Sequence, residues 1–100
     1  MKTTVQEVDG KMLVELIGEL DTAAAVEVEK QLLVLNEHEG KDVIIECSQL
    51  EYIASSGLRI LLGILKKAKA TGSVVTLKNV NDDIKNVFKL TGFINLFDFA

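Results

Sequence analysis

Apolar residues along the chain follow two rhythms, one of period two and one of three to four, and the changes of rhythm divide it into elements. Residues 4–8 and 12–17 are short β-prone runs separated by Asp9-Gly10, a residue pair favoured in two-residue hairpin turns because both positions need positive φ. They predict an opening antiparallel hairpin. After Gly18-Glu19-Leu20 the spacing changes, and Ala24, Ala25, Val28, Leu32 and Leu35 recur with Glu27, Glu29 and Lys30 among them, which predicts a first helix. Asp21 or Thr22 is expected to cap its start by accepting from a free first-turn amide, and Gly40 lies in the loop beyond its end.

Val43-Ile44-Ile45, with Glu46 and Cys47, is too short and too β-branched for a helix and predicts a buried strand, with residues 48–54 as a crossing loop. From Ser55 onward Leu58, Leu61, Leu62, Leu65 and Ala68 fall within about 120° of one another at about 100° per residue, the core-facing stripe of a second helix. Thr71-Gly72 ends it. Residues 73–77 form another strand, Asn81-Asp82-Asp83 opens a third helix carrying Ile84, Val87, Phe88 and Thr91, and Gly92 caps it, leaving 93–99 as an apolar tail. The order β-β-α-β-α-β-α predicts an α/β domain with a mixed β-sheet and helices packed on it, one sheet face being less covered.

A length of 100 residues, 48% of them hydrophobic, fits one domain over 1–100 whose core needs neither disulfides nor a structural metal. The lone Cys47 reads as a small buried hydrophobe in a reducing compartment. The start of the chain has no signal-like apolar region and no stretch approaches the roughly 20 apolar residues of a membrane span, so a cytoplasmic protein without membrane insertion is expected. With eleven basic residues scattered among fifteen acidic ones and a net charge of -4, direct nucleic-acid binding is disfavoured, and protein partners are expected.

The residues for catalysis are missing. His38, the one histidine, stands in the polar segment Asn36-Glu37-His38-Glu39-Gly40 without a second ligand or a nucleophile to serve, so neither an enzyme, a metal site nor a cofactor is expected. What remains is Ala54-Ser55-Ser56-Gly57-Leu58-Arg59. Its hydroxyls stand where a helix begins and admit two readings: an N-cap, or an acceptor whose added phosphate would face free amides and the positive helix end. Gly57 leaves the neighbouring backbone open to an approaching enzyme. Gly63 sits on a flank of the second helix away from the leucine stripe, and Ile60 and Ile64 lie on the next flank, either packed on a neighbouring helix or forming a patch for a protein partner.

Taken together, Gly18-Glu19-Leu20-Asp21, then Val43-Ile44-Ile45 leading through Leu50 and Ile53 to Ser55-Ser56-Gly57-Leu58, and finally Leu90-Thr91-Gly92-Phe93 resemble the STAS domain family, specifically its stand-alone anti-sigma factor antagonists. The resemblance covers nearly the whole chain. It implies a partner-switching cycle: the unphosphorylated protein binds a serine-kinase anti-sigma factor and releases the sigma factor, phosphorylation of Ser56 breaks that complex, and a serine phosphatase resets it. It also implies that Asp21 helps the kinase recognise the site, with Ser55 a minor alternative acceptor. The expected partner-binding set is Asp21, Ser55, Ser56, Gly57, Ile60, Gly63 and Ile64. One departure stands out, Ala54 where many members carry an aspartate. The resemblance leaves open a STAS scaffold or small-ligand-sensing module of another regulatory or lipid-transport complex.

Overall fold

The structure, a computed structural model, describes residues 1–32 and 40–100. Its elements are β1 (Lys2–Val8), β2 (Lys11–Leu20), α1 (Thr22–Leu32), β3 (Val43–Ile53), α2 (Ser55–Ala70), β4 (Val75–Lys78), α3 (Asp82–Leu90) and β5 (Asp98–Phe99). The expectations for Leu35, His38 and the side chain of Leu32 lie outside the described residues.

The opening hairpin forms as its turn residues dictate. Val8 pairs with Lys11, and Asp9 and Gly10 between them take φ of 52° and 78°. The sheet order is β1-β2-β3-β4-β5, antiparallel at the hairpin and parallel at every later pairing. Each parallel connection steps one strand further in the same direction, so right-handed crossovers set all their helices on one face. Residues of α1, α2 and α3 accordingly join one core cluster with alternate residues of the strands. The register makes the division plain. Val14, Ile45 and Leu77 are cross-strand partners and fully buried, whereas Leu13, Ile44 and Thr76 form the adjacent row on the other face and are only half-buried.

Two sequence expectations are corrected. Residues 48–53 are not a loop: β3 continues to Ile53, but its register against β2 shifts between Glu15 and Ile17 and again between Gly18 and Glu19. Each shift sets an extra β3 residue against β2, so the buried positions Cys47, Leu50 and Ile53 recur at three rather than two, which hides a strand from a search for alternation. Glu46 pins the first irregularity by accepting from the Ser48 amide at 3.2 Å and from Asn79 Nδ2 at 2.9 Å. Burial pushes its carboxyl up, yet the hydrogen bonds from Asn79 and Ser48 outweigh this and hold it below the ordinary carboxylate range.

The apolar tail, secondly, adds a strand. Phe97 and Phe99 meet Phe88 edge-on, with ring centroids at 5.5 and 5.6 Å, and β5 pairs beside β4. The last two helices end as the Thr-Gly pairs predict. Ser73 N donates to Ala68 O at 2.7 Å and Phe93 N to Phe88 O at 2.9 Å, each across a glycine with φ of 79°, satisfying carbonyls that the helix leaves unpaired.

Candidate functional site

The site lies where β2 and β3 end and α1 and α2 begin. Parallel strands bring these helix starts to the same end of the sheet, and the Ala54 amide ties them by donating to Leu20 O at 2.9 Å. Asp21 follows directly and caps α1: Oδ1 accepts from Ala24 N at 2.8 Å, while its carbonyl accepts from Ala25 N at 2.8 Å. Of the two predicted cap candidates, Asp21 does the capping.

The second helix starts one residue earlier than an N-cap role for its serines would require. Ala54 is the cap residue, extended at φ −87° and ψ 167°, and its carbonyl accepts from Leu58 N at 3.0 Å. Ser55 and Ser56 are therefore the first two helical residues, which corrects the N-cap reading of these hydroxyls. Alanine has no acceptor to offer, so no side chain caps this helix, and no acidic residue stands in its first turn. Ser55 is exposed and Ser56 half-buried.

Gly57 needs a larger correction. It is buried, and a β-carbon there would stand 2.7 Å from Leu20 Cγ and 3.0 Å from Ile53 Cγ1. Its missing side chain admits the ends of β2 and β3, not an approaching enzyme, so Gly57 leaves the exposed contact set and becomes the residue that fixes where Ser56 stands. Gly63 is exposed, with open space where a β-carbon would be. Ile60 and Ile64 on its flanks are half-buried and pack against the core, as does Leu62 from the predicted stripe. What remains exposed of Ile60 and Ile64 lies on the side of α2 next to Gly63.

Sequence reasoning missed Thr22. Ser56 Oγ donates to Thr22 Oγ1 at 3.3 Å, joining side chains 34 residues apart on the first turns of the two helices. Asp21, Thr22, Ser55 and Ser56 are thereby gathered at one end of the sheet, with Gly63 farther along α2. The local signal is a hydroxyl directly after Asp21, which by itself reads only as an alternative cap. Cys47 plays no part here: burial, helped by the charge of Glu46, pushes its thiol up to about 12, leaving little thiolate for chemistry. Among the described residues no three His, Cys, Asp or Glu side chains converge as metal ligands, and no helix is long and apolar enough to cross a membrane.

Comparison with known proteins gives consistent results. The family model for the STAS domain matches residues 2–100. The putative anti-sigma factor antagonist BtrV of Bordetella bronchiseptica is 28% identical over 100 residues, covering 100% of this chain and 86% of that protein. The anti-sigma-B factor antagonist of Bacillus subtilis is 27% identical over 96 residues, covering 96% of this chain and 87% of the relative. Among solved structures, the phosphorylated form of the Bacillus cell fate determinant SpoIIAA superposes with a TM-score of 0.76 at 20% identity, covering 99% of this chain and 91% of that one. Its unphosphorylated form gives 0.76 at 19% identity, covering 99% and 87%.

Proposed function

The chain belongs to the STAS domain family, and on that premise we propose that it is an anti-sigma factor antagonist, a binding protein rather than an enzyme, switched at Ser56. With Ser56 free, it binds a serine-kinase anti-sigma factor and releases the sigma factor; with Ser56 phosphorylated, it does not bind. The names of the relatives support the antagonist class. The observation that carries the switch is the start of α2, where a half-buried serine hydroxyl stands in a first turn holding neither a side-chain cap nor an acidic residue.

The chemistry belongs to the partner. Ser56 Oγ attacks the γ-phosphorus of ATP held by the kinase, the bond from that phosphorus to the β–γ bridging oxygen breaks, ADP leaves, and the serine proton passes to a base of the kinase. A phosphatase returns the hydroxyl by hydrolysis. The phosphoserine adds about -1.5 to -2 charge, which the fold accommodates because first-turn amides and the positive helix end face it. A partner surface closed over a neutral hydroxyl must instead desolvate a dianion, at a cost of about 10²-fold or more in affinity. Asp21 and the flank around Gly63 complete the recognition surface.

Calorimetric titration of the anti-sigma kinase from the same genome tests this reading. Ser56→Ala should bind as the wild type does, and Ser56→Asp about 10²-fold more weakly. Equal affinity for all three would favour a scaffold or ligand-sensing role, in which Ser56 is an ordinary helix residue.

A further inference from the structure

We propose that Thr22 is the positioning residue of the Ser56 switch, holding the serine hydroxyl before modification and donating to the phosphate afterwards. The inference rests on the reading of Ser56 as the phosphoacceptor and names the group that serves it in both states.

The contact joins two fixed points. Thr22 opens α1 immediately after Asp21, whose side chain and carbonyl hold the first turn of that helix. Ser56 opens α2, whose start is tied to Leu20 by the Ala54 amide and packed on Leu20 through Gly57. Leu20, Asp21 and Thr22 are consecutive, so one short backbone segment sets both helix starts and with them the separation of the hydroxyls. Their 3.3 Å distance is long for a hydroxyl pair, so the bond adds little to the stability of the fold. Among the described residues, Thr22 provides the one side-chain hydrogen bond to that oxygen.

A threonine hydroxyl both accepts and donates, which suits it to both states. Before transfer Thr22 Oγ1 accepts a hydrogen bond from the Ser56 hydroxyl. After transfer Ser56 Oγ has no proton to give, but the phosphate presents three acceptor oxygens to the same neighbour. Thr22 then donates, and a bond from a hydroxyl to a phosphate oxygen is charge-assisted and stronger than the neutral one it replaces. Ala54 increases the weight of this contact, because α2 has no cap side chain of its own to orient Ser56.

The test needs no kinase. Protein carrying phosphoserine at position 56, installed during translation, is titrated by phosphorus NMR as wild type, Thr22→Val and Thr22→Ser, with circular dichroism melts confirming that each is folded. A hydrogen bond to the charged form favours ionisation, so Thr22→Val should raise the second phosphate pKa, ordinarily about 6, by a few tenths of a unit, and Thr22→Ser should restore the wild-type curve. A purely structural threonine would not move that pKa. Superimposed curves for all three proteins would overturn the proposal. A Ser56 that no kinase phosphorylates would contradict the switch reading, and the titration would still decide whether Thr22 holds a phosphate at that position.

Discussion

A β-carbon on Gly57 would stand 2.7 Å from Cγ and 2.9 Å from Cδ2 of Leu20, closer than non-bonded carbons approach. Leu20 is fully buried and cannot swing aside into solvent. Gly57→Ala should therefore cost about 1–3 kcal/mol of stability, the usual range for overpacking, and shift the start of α2. In urea unfolding, Leu20→Ala in the same chain should relieve part of that cost, giving a clearly non-additive pair. Strict additivity would mean that the two residues do not press on each other.

Asp21 caps α1 through one carboxylate oxygen, and asparagine keeps an oxygen there. Asp21→Asn should change unfolding free energy by only a few tenths of a kcal/mol, whereas Asp21→Ala should cost about 1 kcal/mol. Affinity for the kinase should fall in both. Calorimetry showing wild-type affinity for Asp21→Asn would confine the carboxylate to capping.

The uncapped start of α2 leaves a gain available. Ala54 already has the extended backbone of a cap residue, so Ala54→Asp should add about 1 kcal/mol of stability to the unphosphorylated protein. With phosphoserine at position 56, the new carboxylate competes for the same amides and repels the phosphate. The gain should shrink or reverse, as read by paired thermal melts. An equal gain in both forms would show that the phosphate does not use those amides.

Gly63 offers a probe of the α2 surface that leaves the core untouched, since it is exposed and nothing lies within 4 Å of where its β-carbon would stand. Gly63→Arg should keep the wild-type circular dichroism spectrum and weaken kinase binding by steric exclusion. Normal binding would place the interface elsewhere.

How much of this was legible in the residues follows from which physical signals are local. The Asp9-Gly10 turn, the Asn81 cap that accepts from Ile84 N at 2.9 Å, and the Thr-Gly helix ends were readable because turn and cap chemistry is written in adjacent residues. The leucine stripe of α2 was readable from its period. The second half of β3 was not, because register shifts replaced alternation with a spacing of three. Nor was β5, a strand of two residues held by β4 and the Phe88 cluster. At the site, Ser56 and Asp21 stood out through motif and capping chemistry. The packing of Gly57 on Leu20 and the contact of Thr22 with Ser56 are made at the end of the sheet by residues more than thirty positions apart, which no local pattern encodes.

Intact-mass analysis after incubation with the anti-sigma kinase and ATP separates Ser56 from every other hydroxyl of the chain as the switch. Wild type and Ser55→Ala should each gain one phosphoryl group, whereas Ser56→Ala should be modified far more slowly, at Ser55 alone, while melting within a few degrees of wild type. Phosphorylation of Ser56→Ala at the wild-type rate would show that Ser56 is not the phosphoacceptor.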